Sequence, residues 1–221
     1  MTTGAETATA VPDAAPLVRK RPPRGERREQ ILQTLASMLE QPGAERVTTA
    51  GLAARLDVSE AALYRHFASK AQMFEGLIDF IESSAFSLVR QISDGGQGGG
   101  QDVANDPAAA SRKAARIVSM LLQFAEKNPG MARVMVGDAL VFENDRLHQR
   151  MSLFFDKIES ELRQILRVAS AHNGSAAPTV DANVTASLLT AFLVGRMQRF
   201  TRSGFKKSPT EQLDACLQRL L

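Results

Sequence analysis

Apolar residues recur along this chain at the three-to-four-residue spacing of α-helices, and no stretch reads convincingly as a β-strand. Prolines, glycines and capping residues divide that pattern into segments. The predicted helices are Gly25–Glu40, a short segment after Thr48, another from Ser59, Lys70–Ile92, Pro107–Lys127, Met131–Val136, Asp145–Ser170, Asp181–Arg202 and Pro209–Leu221. The pattern therefore predicts an all-α fold.

The segment from Val47 to Lys70 predicts two short helices that are separated by a tight turn. Thr48 or Thr49 can cap the first helix and Ser59 the second. Small alanines on both sides of the turn allow the helices to cross closely at a steep angle. This is the arrangement of a helix-turn-helix, whose second helix enters the major groove of DNA.

The outward residues of this segment are candidates for DNA contacts. Hydroxyl and backbone N–H groups at a helix start suit phosphate oxygens, and an arginine suits the edge of guanine. Charge supports this interpretation. Residues 19–70 carry ten basic and six acidic residues, whereas the rest of the chain carries seventeen basic and eighteen acidic residues. The alternative is a helical hairpin with an incidental polar face. The predicted DNA-binding residues are Thr48, Thr49, Ser59, Glu60, Ala61, Tyr64, Arg65, His66 and Lys70.

Composition narrows the function classes further. Hydrophobic residues make up 44% and charged residues 23% of the 221 residues, as in ordinary globular proteins. No apolar run approaches the ~20 residues of a membrane span, and the start lacks a secretory signal, so a cytoplasmic location is expected. Residues 1–22 read as a disordered basic tail. The single cysteine, Cys216, lies among leucines and is expected to pack.

Catalytic signatures are missing from the sequence. We find no nucleophile elbow, nucleotide fingerprint or paired Cys/His set, and therefore expect neither an enzyme nor a cofactor or metal site. One acidic group remains, formed by Asp138, Glu143, Asp145 and His148. Favourable charge at a helix N-terminus explains this group better than metal binding does.

Residues across the first third of the chain resemble the TetR family of bacterial DNA-binding proteins. The matching elements are the helix Arg27–Glu40, Thr48-Thr49 with Leu52-Ala53, Val58-Ser59, and Leu63-Tyr64, His66-Phe67 and Ser69-Lys70. The resemblance implies a helix-turn-helix domain over residues 23–70 and a helical dimerisation and partner-binding domain over residues 71–221. Asp57 departs from the usual glycine, which predicts a slightly strained turn.

Later segments resemble one group within that family, the nucleoid occlusion factors. These segments include Glu126–Gly130, Leu140–Leu147 and Ser203–Lys206. The resemblance implies a nucleoid-associated homodimer that binds palindromic chromosomal sites and there antagonises polymers of the division protein FtsZ. The residues that it places towards FtsZ are Phe80, Met120, Gln123, Lys127 and Asn128, although Gln123 stands where the group has glycine.

Several positions have an ordinary structural interpretation as well. Phe80 lies among apolar residues of a long helix and can belong to the core, and Asn128 before a proline can simply end a helix. A helix-turn-helix reads few base pairs, so a symmetric dimer is expected. Its interface is predicted at Leu188, Phe192, Gly195, Leu213 and Leu217, unless these stripes pack within one chain.

Two other functions remain open from the sequence. A ligand-responsive transcriptional repressor of the TetR type needs a sizeable apolar pocket with convergent polar groups in its C-terminal helices. An architectural DNA-coating protein needs only a basic surface and little sequence preference.

Overall fold

The computed structural model describes residues 24–41, 47–94, 106–172 and 177–221. Helices account for most of these residues and no strand occurs among them, so the predicted all-α class is confirmed. A 3-10 turn at Asp138–Leu140 separates the sixth and seventh α-helices. The α-helices are α1 (Arg24–Leu39), α2 (Thr49–Arg55), α3 (Glu60–Tyr64), α4 (Lys70–Asp94), α5 (Pro107–Lys127), α6 (Pro129–Met135), α7 (Asp145–His172), α8 (Pro178–Arg202) and α9 (Leu213–Leu220).

Helices α1, α2 and α3 form the N-terminal unit, and α4 leads from it into the rest of the chain. Helix α1 packs against α2, α4 and α6, while α2 packs against α3. Leu35 of α1, Leu63 of α3 and Phe67 are each 1% exposed. These three residues belong to one continuous hydrophobic core, which extends through the C-terminal helices of the described chain.

Helices α5, α7 and α8 form the centre of the C-terminal part. Helix α7 packs along α8 and α5, and α9 lies against α8. Phe154 is fully buried and meets Phe86 and Phe155 edge-on, with ring centroids 5.5 and 5.1 Å apart. None of the described helices combines the length and apolar character that crossing a membrane requires.

A row of ion pairs joins α4 to the beginning of α7 and to the residues just before it. Arg150 donates hydrogen bonds to Asp79 at 2.5 Å and to Glu82 at 2.8 Å. The bond to Glu82 is the main reason that the pKa of the Arg150 guanidinium is raised, although burial acts in the opposite direction. The remaining pairs in the row are Glu75 with Arg146 and Lys70 with Glu143.

The acidic group before α7 is distributed over separate structural contacts. Asp145 lies in the first turn of α7, where negative charge is favourable. The other contacts are Asp138 with Thr201 Oγ1 at 2.8 Å, Glu143 with Lys70, and His148 Nε2 with the Leu140 carbonyl oxygen at 2.8 Å. These contacts hold the 138–144 segment between α8, α4 and α7.

Prolines mark helix starts at two places where the sequence pattern assigned loops. Pro129 opens α6 and Pro178 opens α8, both within the first helical turn. Proline is compatible with that position because its missing N–H would have no helical partner there. Both helices consequently begin before the predicted Met131 and Asp181.

The last helix begins later than predicted, and its two predicted interface residues are buried within the chain. Residues 209–212 form a turn, and Gln212 has a positive φ of 51°, so α9 begins at Leu213 rather than Pro209. Leu213 and Leu217 are only 6% and 4% exposed and pack into the core of their own chain. Little of either side chain is left for a second copy in the single chain, and their place in a dimer interface stays a prediction.

The basic tail predicted over residues 1–22 lies outside the described residues.

Candidate nucleic-acid interface

Two caps fix the short helices of the predicted helix-turn-helix. The Thr48 hydroxyl oxygen accepts a hydrogen bond from the Gly51 N–H at 3.1 Å, so Thr48 rather than Thr49 is the cap of α2. The Ser59 hydroxyl oxygen accepts one from the Ala62 N–H at 3.3 Å and caps α3, as predicted. Each cap satisfies an amide that has no partner within its helix.

The turn between α2 and α3 depends on one residue in the left-handed region. Asp57 has a φ of 54°, and the next amide, that of Val58, donates to the Ala53 carbonyl oxygen at 3.1 Å. Aspartate adopts this conformation more readily than most residues but at a higher energy than glycine. The strained conformation expected from the sequence is present, and it turns the chain sharply into α3.

Helix α3 presents its polar residues to solvent. Tyr64 is 45% exposed, Arg65 is exposed and His66 is half-buried, whereas Leu63 directly before them is buried. Ser59, Glu60 and Ala61 at the beginning of the helix are exposed as well. The burial of Leu63 and Phe67 holds α3 against the N-terminal unit, so its outer face is a rigid surface.

A side-chain hydrogen bond joins the beginnings of α2 and α3. The Thr49 hydroxyl donates to Glu60 Oε2 at 2.6 Å. Thr48 and Thr49 also line one small crevice together with Lys70, the first residue of α4. Three of the predicted phosphate-binding residues, drawn from two helices, therefore lie on one side of the N-terminal unit.

Two predicted DNA contacts already have partners within the chain. The ammonium group of Lys70 forms an ion pair with Glu143, and the two side chains are 25% and 10% exposed. The Glu60 carboxylate holds Thr49. A phosphate at Lys70, or a cytosine at Glu60, must therefore compete with these internal bonds.

Arg28 is a positioning residue that the sequence pattern did not single out. Its guanidinium lies 4.3 Å from the centroid of the Phe67 ring, and Nη1 donates to the His66 carbonyl oxygen at 3.3 Å. These contacts fasten the residues that directly follow α3 to α1. No local motif announces them, because Arg28 and His66 are 38 residues apart.

A serine and a glutamine fix the beginning of α4. The Gln72 N–H donates to the Ser69 hydroxyl at 3.2 Å, and the Gln72 side chain accepts from the Ala68 N–H at 2.8 Å. This reciprocal arrangement resembles a capping box. It gives Lys70 a defined position directly after the helix-turn-helix.

The residues predicted to face FtsZ lie on α4, on α5 and at the end of α5. Phe80 is 48% exposed, which excludes the core interpretation of this side chain. On α5, Gln123 and Lys127 are exposed and Met120 is half-buried, at a spacing that places them on one helix face. Asn128 ends α5, and its side-chain amide donates to the Phe124 carbonyl oxygen at 2.8 Å.

An apolar stripe on α8 faces solvent in the single chain. Val180, Val184 and Leu188 are 58%, 52% and 52% exposed and follow one another at four-residue spacing. Gly195 continues the same face, and a Cβ added there would meet nothing within 4 Å. Of the predicted interface, Leu188 and Gly195 are exposed and Phe192 is half-buried beneath the Arg196 guanidinium.

Comparison with known proteins agrees with this architecture. Residues 31–77 match the model described as bacterial regulatory proteins of the tetR family. Residues 111–221 match a SlmA-like model described as tetracyclin repressor-like, C-terminal domain. A TetR-family transcriptional regulator from Bordetella parapertussis has a similar fold, with a TM-score of 0.64, 18% sequence identity, and coverage of 88% of this chain and 93% of that one.

Sequence relatives are far closer and include the C-terminal helices. The nucleoid occlusion factor SlmA of Shewanella sp. (strain MR-4) is 48% identical over 192 residues, which are 87% of this chain and 91% of the relative. The factor of the same name from Photobacterium profundum is 47% identical, over 85% and 90% of the two chains. The chain therefore belongs to the TetR family and, within it, to the SlmA group of nucleoid occlusion factors.

Proposed function

We propose that the protein acts as a nucleoid occlusion factor that binds palindromic chromosomal sites as a homodimer and, when bound there, antagonises FtsZ polymers. The observation that carries this proposal is the similarity to SlmA through residues 111–221 as well as through the helix-turn-helix. DNA-binding domains are shared by regulators of many kinds, whereas C-terminal halves of this family usually diverge.

DNA recognition is assigned to the outer face of α3. Its first residues lie at a capped N-terminus, where short side chains can approach base edges. We assign base contact to Arg65 and phosphate contact to Tyr64, which is half-exposed at the end of the helix. Thr48 and Lys70 are assigned phosphate contacts, with Lys70 exchanging Glu143 for the phosphate.

Dimerisation is assigned to the exposed stripe on α8. Three large aliphatic side chains in a row are an unfavourable surface for an isolated chain, and a twofold contact of α8 with its copy would remove them from water. Such a dimer presents two recognition helices to a palindrome, with one half-site for each.

FtsZ binding is assigned to the surface between α4 and α5 around Phe80. A large exposed aromatic ring such as that of Phe80 is typical of residues that anchor a protein contact. This assignment rests on the resemblance to nucleoid occlusion factors and on the exposure of Phe80.

The experiment begins with a genome-wide binding map, which yields the palindrome and shows whether the terminus region of the chromosome is empty of sites. FtsZ polymer is then sedimented with the protein and with either the palindromic duplex or a scrambled duplex. We expect less polymer in the pellet only with the palindrome. Equal pellets with both duplexes refute the proposal.

Two pairs of variants separate the assigned surfaces. Phe80→Ala should abolish the effect on FtsZ without weakening DNA binding, while the matched Phe142→Ala, at a side chain 65% exposed elsewhere, should leave both unchanged. Tyr64→Ala should weaken binding to all duplexes, and Arg65→Ala should relax the preference at one position of each half-site. Equal losses on every sequence for both variants contradict the division between base and phosphate contact.

A further inference from the structure

The end of α8 and the turn after it form the longest stretch of one-signed charge in the C-terminal part. Residues 182–210 contain five basic residues and no Asp or Glu. One of the five, Arg196, is engaged in the fold: its guanidinium donates to the Glu211 carbonyl oxygen at 2.9 Å and to Cys216 Sγ at 3.1 Å. The other four are Arg199, Arg202, Lys206 and Lys207, which we call the α8 basic cluster.

The four charged groups of the α8 basic cluster form no ion pair that would explain them as part of the described fold. All four side chains belong to exposed residues, and none forms an ion pair with another residue of the described chain. By contrast, Arg146 and Arg150 on α7 are paired with carboxylates of α4. Part of the cluster lines an open groove together with Gly195, Gln198 and Ser203.

Contacts place the cluster at the end of the C-terminal part that meets the DNA-binding unit, by which we mean the N-terminal unit of α1, α2 and α3. On one side, Thr201 in the last turn of α8 donates to Asp138, in the segment whose Glu143 pairs with Lys70. On the other side, Ser208 and Thr210 donate to Glu126 at 2.5 and 2.7 Å. Glu126 lies in the last turn of α5, just before the residues of α6 that pack on α1.

The cluster also continues the exposed face of α8. Arg199 and Arg202 follow Val184, Leu188 and Gly195 at intervals of three, four or seven residues, which is the spacing of one helix face. In a dimer formed through that face, the clusters of both copies come together beside the twofold axis. Like charges gathered there repel one another unless an anion lies between them.

We propose that the α8 basic cluster binds the DNA phosphates at the centre of the palindrome, between the two recognition helices. This inference rests on the proposed function, because it takes the dimer and its duplex as given. A palindrome bound by a symmetric dimer has its centre on the twofold axis, so the same duplex that occupies both recognition helices passes in front of both clusters.

The favourable position of cations at a helix C-terminus explains only part of the cluster. Arg199 and Arg202 lie in the last turn of α8 and complement the partial negative charge of its end. Lys206 and Lys207 lie beyond the helix, in a segment that the Lys207 N–H fixes by donating to Ser203 Oγ at 2.9 Å. They extend the positive surface away from the helix end.

The test measures how DNA binding by the full-length protein depends on salt. Each phosphate neutralised by the protein contributes a slope of about −0.9 to log Kobs against log salt. For the quadruple variant Arg199→Gln, Arg202→Gln, Lys206→Gln, Lys207→Gln, one or two lost contacts per chain make the slope shallower by roughly 2 to 4. Affinity should fall about tenfold or more, on palindromic and scrambled duplexes alike.

A matched control removes the same charge from the opposite end of the C-terminal part. It carries glutamine at four exposed residues far from the DNA-binding unit, namely Arg90, Arg112, Arg116 and Arg167. We expect its salt slope to equal that of the wild type. If the quadruple variant melts early, the pair Lys206→Gln, Lys207→Gln is measured instead, because both residues lie outside α8.

Three results overturn the inference. In the first result, the cluster variant keeps the wild-type salt slope. In the second, it loses no more DNA affinity than the control variant does. Either result means that phosphates do not reach the cluster. A variant that sediments as a monomer would show that the cluster pairs with acidic residues of the second copy. If the wild-type protein binds neither duplex, the proposed function itself fails, whereas the first two results leave it intact.

Discussion

Replacing Gly130 by alanine tests whether the DNA-binding unit is held rigidly on the C-terminal helices. Gly130 lies in α6 and faces α1, where a Cβ would stand 2.0 Å from the Ala36 carbonyl oxygen and 2.9 Å from its carbonyl carbon. Both atoms belong to the backbone and cannot rotate away. Close carbon-to-oxygen contacts lie at about 3.3 Å, so the two helices must separate by roughly 1.3 Å.

Two opposing contributions determine how Gly130→Ala changes the free energy of unfolding. Forcing a methyl group into a packed contact costs about 1–3 kcal/mol, and alanine recovers up to about 1 kcal/mol of helix propensity over glycine. The separation also stretches the hydrogen bond from Arg133 Nη1 to the Leu39 carbonyl oxygen, now 3.2 Å. We expect a net loss of ~1–2 kcal/mol, and therefore a Tm lower by about 2–8 °C for a chain of this size.

The assay combines thermal unfolding with DNA affinity. Gly130→Ala should lower the Tm and weaken binding to the palindrome more than binding to a scrambled duplex, because the spacing of two recognition helices matters only for specific contacts. Gly25→Ala is the matched control, since a Cβ there meets nothing within 4 Å. Its Tm should stay the same or rise.

One outcome refutes the reasoning. If Gly130→Ala unfolds at the wild-type temperature and binds the palindrome equally well, α6 is not seated on α1 as closely as the distances require. The α1–α6 contact then does not determine the position of the DNA-binding unit.

Three further contacts, in the N-terminal unit and at its junction with α4, can be tested by substitution. Ser59→Ala removes the hydrogen bond that caps α3 and should lower the free energy of unfolding by ~0.5–2 kcal/mol, whereas Ser59→Asp should retain most of it, as measured by urea unfolding. Arg28→Ala loses its stacking on Phe67 and should cost about 1–2 kcal/mol, with Arg28→Lys restoring only part. Glu143→Gln breaks the pair with Lys70, and a double-mutant cycle with Lys70→Gln should give a coupling of ~0.5–3 kcal/mol; zero coupling would mean that the pair contributes nothing in solution.

Local signals in the sequence were sufficient for most helix boundaries. The caps at Thr48 and Ser59, and the break at Asp57, depend on residues within three or four positions of one another. Helix α5 was predicted to its terminal residues because Pro107 and Asn128 mark both of its ends. Helix boundaries were predicted wrongly where a proline can either end one helix or occupy the first position of the next.

The orientation of side chains was less accessible, because it depends on partners far along the chain. Its position in the sequence predicts that Lys70 binds a phosphate. The sequence does not predict its pairing with Glu143, because the two residues are 73 positions apart. Leu213 and Leu217 form an apolar stripe that sequence periodicity cannot assign to the core or to an interface. Phe80 presented the same ambiguity and proved to be exposed.

These long-range contacts also determine what the recognition helix can do. Helix α3 has only five residues, so it has no stable position of its own and takes its direction from what holds it. Arg28 fastens the residues that directly follow α3 to α1, Gly130 allows α1 to lie directly on α6, and the Lys70–Glu143 pair fixes the beginning of α4. Each contact either lies within the DNA-binding unit or joins it to the C-terminal helices, which include α8 with its exposed apolar stripe. The distance between two recognition helices in a dimer therefore depends on residues to which no DNA contact is assigned, namely Arg28, Gly130 and Glu143. A change in any of these three should alter specificity before it alters nonspecific affinity.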